Sequence, residues 1–207
     1  MTHIALIPVS SKPYHAGHDG LIRIAAGEND IVMLFVSLSD RKRPGEVPIL
    51  GKDMETVWKT QIEPSLPENV QVTYGGSPVR NVYTVMGDAN EAGSDDTFVV
   101  YSDPDDLAQN FPENSLEKYA GNLWANDQII LRPVERASTV NVSGTKMRQF
   151  LATGDKKSFV ANLPKTIDGN FVWNLLAKKP AKKTKTENVL RSYVEVVVKS
   201  LKDPRGA

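Results

Sequence analysis

The sequence predicts a three-layer α/β domain built on a mostly parallel sheet, and three observations carry that prediction. Short runs rich in Ile, Val and Leu recur as unbroken apolar segments, the pattern of strands buried on both faces. Stretches with helical spacing fall between them, and Gly- or Pro-containing turns punctuate the junctions. Strands alternating with helices call for crossover connections, and crossovers call for a parallel sheet with helices on its faces.

Each element can be read in turn. Residues 4–9 (IALIPV) predict the first strand. Residues 19–27 follow with Leu21, Ile22 and Ala25 at helical spacing, and Gly27 supplies a helix stop. Residues 31–37 (IVMLFVS) complete a strand-helix-strand unit. Residues 39–51 carry two prolines, two glycines and the basic run Arg41, Lys42 and Arg43, and read as an excursion loop. A helix is expected over 52–62, stopped near Pro64, and a third strand over 70–74, ended by Gly75 and Gly76. Residues 79–86 read as helical, 97–101 (TFVVY) as a fourth strand running into the acidic turn SDPDD, and 128–131 (QIIL) as a fifth strand stopped near Pro133. The domain is expected to span 1–177. A lysine-rich linker follows at 178–186, then an amphipathic helix and tail at 187–207, where Leu190, Tyr193, Val194, Val197 and Leu201 keep helical spacing. The run VEVVV leaves a strand as the alternative there. One apolar stripe on such a helix suits a homo-oligomer contact or an assembly partner.

Composition narrows the function classes. A chain of 207 residues, 40% hydrophobic and 24% charged, can bury a sizeable core without staples. Lys+Arg and Asp+Glu are both 25, so no global field draws the chain to nucleic acid or anionic lipid. No apolar run approaches the ~18 residues of a membrane helix, and residues 4–9 lack the basic flank and length of a signal peptide. The absence of cysteine excludes disulfides and thiolate-bound metals and suits a reducing, cytoplasmic setting.

Two stretches carry chemistry. Residues 14–20 read YHAGHDG and use two of the three histidines just after the first strand. In open parallel sheets ligands bind beyond the carboxyl ends of strands, where helix N-termini offer unpaired N–H groups and a positive dipole end. There Gly17 admits a close phosphate, and His15 and His18 add donors without permanent charge. Val9, Ser10, Lys12 and Tyr14 lie in the same loop as candidate nucleotide contacts. A zinc clamp would need a third His, Cys or carboxylate nearby, and His3 belongs at the other end of the strand, so no metal ligands are assigned. Neither GxxxxGK[ST] nor GxGxxG follows the first strand. The second stretch, VSGTKMRQFL at 142–151, has Ser143, Gly144 and Thr145 at the start of a helix whose apolar face is Met147, Phe150 and Leu151, with Lys146 and Arg148 alongside. Two such helix starts facing each other can hold a triphosphate from both sides.

Together the two stretches resemble the HxGH-type nucleotidyltransferases, which include adenylyltransferases acting on nicotinamide nucleotides and several cytidylyltransferases. His15-Ala16-Gly17-His18 matches the first family motif, and Ser143-Gly144-Thr145-Lys146-Met147-Arg148 the second, a Ser/Thr-rich stretch ending in a basic residue. The continuation FLATGDKKSFVANLP is similar to the family's helix and Gly-Asp turn, so the resemblance spans about residues 3–164. The stretch SDRKRPG and the compact C-terminus resemble versions carried by bacteriophages, which would work in the host cytoplasm. The resemblance implies a Rossmann-like fold and transfer of a nucleoside monophosphate to a small phosphorylated acceptor with release of pyrophosphate. It implies His15, His18 and Arg148 as catalytic residues and Mg²⁺ as the ion on the phosphates. ATP is the expected donor because SxTxxR is closer to the adenylyl than to the cytidylyl form; CTP is the alternative, and a catalytically idle nucleotide-binding or assembly module the alternative of another class. Arg41, Lys42, Asp103 and Asp106 are acceptor-side candidates, with a solvated charge run and a helix-capping turn as their plainer readings.

Overall fold

In the computed structural model, which describes residues 1–44, 46–135 and 142–177, the first apolar run forms β1 (His3–Val9) and pairs in parallel on both sides. On one side lies β2 (Ile31–Val36), Ile4 opposite Ile31 and Val9 opposite Val36; beyond it β3 (Val70–Tyr74) forms an edge. On the other side lies β4 (Thr97–Ser102), His3 opposite Thr97 and Leu6 opposite Val100, and β5 (Ile129–Pro133) is the far edge. The order is thus β3-β2-β1-β4-β5, all parallel. The chain winds outward from β1 to β3, then returns across the sheet to continue from β4, which makes the β1–β4 boundary the topological switch point.

The period of two along a strand divides the core into two layers. Ala5, Ile7 and Val9 face a cluster that contains Ile22 and Ala25 of α1 (Ala16–Glu28) and Met54 and Val57 of α2 (Gly51–Val57). α2 runs on through a π turn (Trp58–Ile62) and a 3₁₀ turn (Glu63–Ser65). Leu6, Phe98 and Val100 face the other cluster, with Val82 and Met86 of α3 (Pro78–Ala92), Leu107 of α4 (Pro104–Asn110) and Leu116 and Leu123 of α5 (Glu113–Ala125). The first cluster is completed by Met147 and Leu151 of α6 (Gly144–Thr153), Phe159 of α7 (Lys156–Ala161) and Val172 and Leu176 of α8 (Gly169–Leu176). β4 is buried along its whole length, as a central strand covered on both faces must be.

The strands and the α/β class agree with the sequence reading; several helix details differ. Gly27 does not stop α1. The helix continues to Glu28 and is ended by the extended residue Asn29, whose Nδ2 donates to the Ala25 carbonyl (2.8 Å) and to the Tyr101 hydroxyl (2.8 Å). Side-chain capping of a terminal carbonyl replaces the left-handed glycine that ends α3 at Gly93 and α6 at Gly154. α1 begins at Ala16, three residues ahead of the apolar pattern, and α3 extends six residues past Met86. The SDPDD turn opens α4, capped by Asp103, whose Oδ1 accepts from the Asp106 N–H at 3.0 Å. α5 and α8 were not read from the sequence. The linker and terminal helix expected over 178–207 lie outside the described residues. Among the described residues no helix is long and apolar enough to cross a membrane.

Candidate functional site

A cleft of about 210 Å³ opens at the carboxyl ends of β1 and β4, at the switch point. Its floor is Ile7, Pro8 and Val9 from β1 and Tyr101 and Ser102 from β4. Three helix starts reach it: α1 brings His15, Gly17 and His18, α4 brings Asp103 and Asp106, and α6 brings Ser143 and Gly144. A second chamber of about 200 Å³ shares Pro8, Ser10, Ser102 and Asp106 with the first and extends along Pro78, Val79, Asn110 and Phe111.

His15 is the N-cap of α1, and the fold fixes its partner closely. The His15 backbone N–H donates to Nδ1 of His18 at 3.3 Å, and the two imidazoles stack with centroids 3.8 Å apart. Because Nδ1 of His18 accepts that bond, the neutral ring carries its proton on Nε2. Behind His18 stands an aromatic column. Tyr14 stacks on it at 5.6 Å, Trp58 meets Tyr14 edge-on at 5.1 Å, and the Trp58 indole N–H donates to Ser11 Oγ at 3.1 Å. The Tyr14 hydroxyl donates to Asp19 (3.2 Å), which also takes Arg23 at 2.7 Å. Burial, then the Asp19 charge, pushes the Tyr14 phenol well up, so it stays a neutral donor. Ser11 adopts a positive φ of 32°, an uncommon backbone state for a residue with a side chain, in the turn that aims this loop.

The second helix start is capped by Ser143, whose Oγ accepts from the Lys146 N–H at 3.2 Å. Gly144 lines the cleft on one side, and a methyl group built on it would stand 3.1 Å from Nη1 of Arg148 on the other. Arg148 itself is buried. Its Nη1 donates to the Lys12 carbonyl (2.8 Å), Nη2 to Thr145 Oγ1 (2.9 Å), and Nε lies 3.0 Å from Glu46 Oε2. Burial, and next the charge of Arg41, lowers its pKa from the ordinary arginine value.

Nine of the sixteen residues expected from the sequence line this cleft: Val9, Ser10, His15, Gly17, His18, Asp103, Asp106, Ser143 and Gly144. The others stand elsewhere. Tyr14 is buried behind His18. Lys12 is buried with Nζ on Ser37 (3.2 Å) and Ser39 (2.8 Å), and burial lowers its pKa. Arg41 pairs with Glu46 and Lys42 with Asp40, outside both chambers. Thr145, Lys146 and Arg148 follow the cleft wall without lining it. Sequence reading missed Tyr101 and Ser102 as floor and Glu46 as the partner of Arg148. Of these only Tyr101 and Ser102 carried a local signal, as the carboxyl end of a strand. Among the described residues no group of three or more His, Asp or Glu could hold a metal ion.

No protein-family profile matches the sequence, and no curated protein is significantly similar to it. Among solved structures, a Vibrio parahaemolyticus protein provisionally assigned as a nicotinate-nucleotide adenylyltransferase is similar at TM-score 0.49 and 17% identity, over 85% of this chain and 99% of that one. The Thermotoga maritima protein TmcAL, bound with alpha-thio ATP, is similar at TM-score 0.45 and 13% identity, over 85% of this chain and 55% of that one, so this chain spans about half its length. The chemistry of this chain rests on its own site.

Proposed function

We propose that the protein is a nucleotidyltransferase that moves a nucleoside monophosphate, AMP from ATP by preference, onto a small phosphorylated acceptor and releases pyrophosphate. The observation that carries the reading is the convergence of the α1 and α6 N-termini, with His15, Gly17, His18, Ser143 and Gly144, on one cleft at the switch point. Two helix dipoles aimed at one cleft favour a ligand with phosphate charge along its length.

In this reading an acceptor phosphate oxygen attacks the α-phosphorus, its P–O bond forms as the α–β bridging bond breaks, and the electron pair leaves on pyrophosphate. No covalent enzyme intermediate is needed. The chain aligns the two anions and meets charge growing on the leaving group. His18 donates from Nε2 to a phosphoryl oxygen, and the column of Tyr14 and Trp58 keeps its ring from turning. His15, stacked on it, brings a second donor to the same phosphate, and that anion offsets the repulsion two charged imidazoles would feel at 3.8 Å. The first chamber takes the nucleotide and the second the acceptor, their phosphates meeting at the shared residues Ser10, Ser102 and Asp106. Mg²⁺ would enter as part of the nucleotide substrate with most of its ligands supplied by phosphate and water, and Asp103 and Asp106 at the cleft wall would be the acidic groups nearest that water shell.

The test is incubation of the protein with each nucleoside triphosphate, Mg²⁺ and a fractionated metabolite extract, with pyrophosphate as the readout. Release that depends on both a triphosphate and an acceptor fraction supports the reading; a protein that binds nucleotide but releases none with any fraction is the idle module instead.

A further inference from the structure

Beside the cleft lies a cluster the transfer reading does not use in its present form. The loop between β2 and α2 folds back on itself through paired backbone bonds of Arg41 and Ile49 (2.8 and 3.0 Å), and Asp40 Oδ1 accepts from the Gly51 N–H at 2.8 Å. This arm carries Glu46 to the start of α6. There Arg41 takes both carboxylate oxygens, Nε to Oε2 at 2.9 Å and Nη2 to Oε1 at 3.1 Å. Arg148 approaches the same Oε2 at 3.0 Å, but its Nε–H is off line and has no hydrogen-bond partner although the atom is buried.

That geometry is uneven. Two guanidinium groups share one carboxylate, and Arg43 adds positive field nearby, so the cluster keeps an excess of positive charge. The buried partner is also the one left with the poor bond. The Glu46 carboxylate is oriented by its two bonds to Arg41, and in that orientation Oε2 stands 3.0 Å from Nε of Arg148 without forming an aligned hydrogen bond. A tetrahedral phosphate presents three terminal oxygens and more charge, and can satisfy both arginines at once. Thr145 Oγ1 and the Lys12 carbonyl hold the guanidinium plane in position, and Gly144 leaves no side chain between it and the cleft.

We infer that Glu46 is an internal competitor for the Arg41–Arg148 pair, so that a phosphate chain reaching the start of α6 binds by displacing the Glu46 carboxylate from Arg148. The arm then neutralises two arginines in the empty protein and yields them to a ligand of higher charge. The inference rests on the transfer reading only for the natural ligand, the far phosphates of the triphosphate.

Inorganic tripolyphosphate, which has neither base nor acceptor, is the probe, and calorimetric titration of the full-length protein is the measurement. A carboxylate that occupies the site about nine-tenths of the time weakens apparent affinity about tenfold. Glu46→Gln, which keeps the shape and a hydrogen bond to Arg41, should therefore bind tripolyphosphate about tenfold more tightly, with an unchanged circular dichroism spectrum. Adding Arg148→Gln should abolish that gain. Equal or weaker binding by Glu46→Gln, a gain that survives in the double variant, or no binding to any of the three proteins overturns the inference. A tighter Glu46→Gln that never releases pyrophosphate would uphold the polyphosphate site and sink the transfer reading, so the two failures are distinct.

Discussion

At the scale of single residues, the site depends on side chains whose hydrogen bonds and stacking the fold fixes. His18 is the clearest case. Its Nδ1 accepts from the His15 backbone N–H and its ring stacks on both His15 and Tyr14, so the fold fixes its tautomer and ring position. If its Nε2 donor meets charge that develops in the transition state, His18→Ala should lower kcat by roughly 10² to 10³, the scale of losing one preorganised donor, with little change in KM for the nucleotide. Steady-state kinetics decide it, and a variant that turns over normally removes His18 from the chemistry. Tyr101 tests the floor of the cleft. Its hydroxyl donates to Glu28 Oε2 at 2.8 Å and accepts from Asn29 at 2.8 Å, and burial, with the Glu28 bond second, pushes its pKa from 10.0 up to about 12. A phenol whose pKa is raised in the fold contributes stability that is complete below the unfolded value near 10 and lost as pH rises through about 12. Tyr101→Phe should cost about 1 kcal/mol at neutral pH and lose less stability than the parent between pH 10 and 12, as urea unfolding across that range will read.

At the scale of elements, two helix starts and one arm depend on close backbone approach. Gly51 opens α2 where the arm returns, and a methyl group there would overlap the Leu38 backbone carbonyl, which cannot turn aside as a flexible side chain could. Gly51→Ala should therefore destabilise the protein by about 1–3 kcal/mol despite the better helix propensity of alanine, measured as a lower denaturant midpoint. The same comparison explains what was legible in the chain. β1, β2 and β4 are unbroken apolar runs because both faces are covered, and that pattern is local. The helix start at Ser143 is also local, an N-cap followed directly by a glycine, whereas α1 starts at Ala16, ahead of the apolar pattern that marks it in the sequence. α5 carries Leu116, Ala120 and Leu123 at helical spacing and could have been found, but a kink at Ala120 interrupts the regular helix. The Glu46–Arg148 contact and the Trp58–Tyr14 column join segments far apart in sequence, and no local period encodes which charge or ring will meet.

At the scale of the whole molecule, the sheet order sets what kind of ligand the protein can take and how that ligand acts on stability. The chain reverses its winding at β1 and β4, so the loops at their carboxyl ends diverge and a crevice opens at the switch point. One wall belongs to β1 and α1, the other to β4 and α4, and the start of α6 lines the crevice with Ser143 and Gly144. A nucleotide in that crevice therefore bridges elements from across residues 7–144, and its binding must stabilise the fold as a unit. A ligand at a hundredfold excess over its Kd adds about 2.7 kcal/mol to the native state, and for a chain of this size each kcal/mol raises Tm by about 2–4 °C. Base choice then becomes a difference in shift between two ligands with identical phosphate chains, which cancels everything the helix dipoles, the histidines and the Arg41–Arg148 pair contribute. If adenine is the base the cleft accepts, ATP with Mg²⁺ should raise Tm by several degrees more than CTP at the same concentration. Equal shifts would mean that only the phosphates are read, and a larger shift with CTP would make cytosine the base the cleft prefers and favour the cytidylyl alternative.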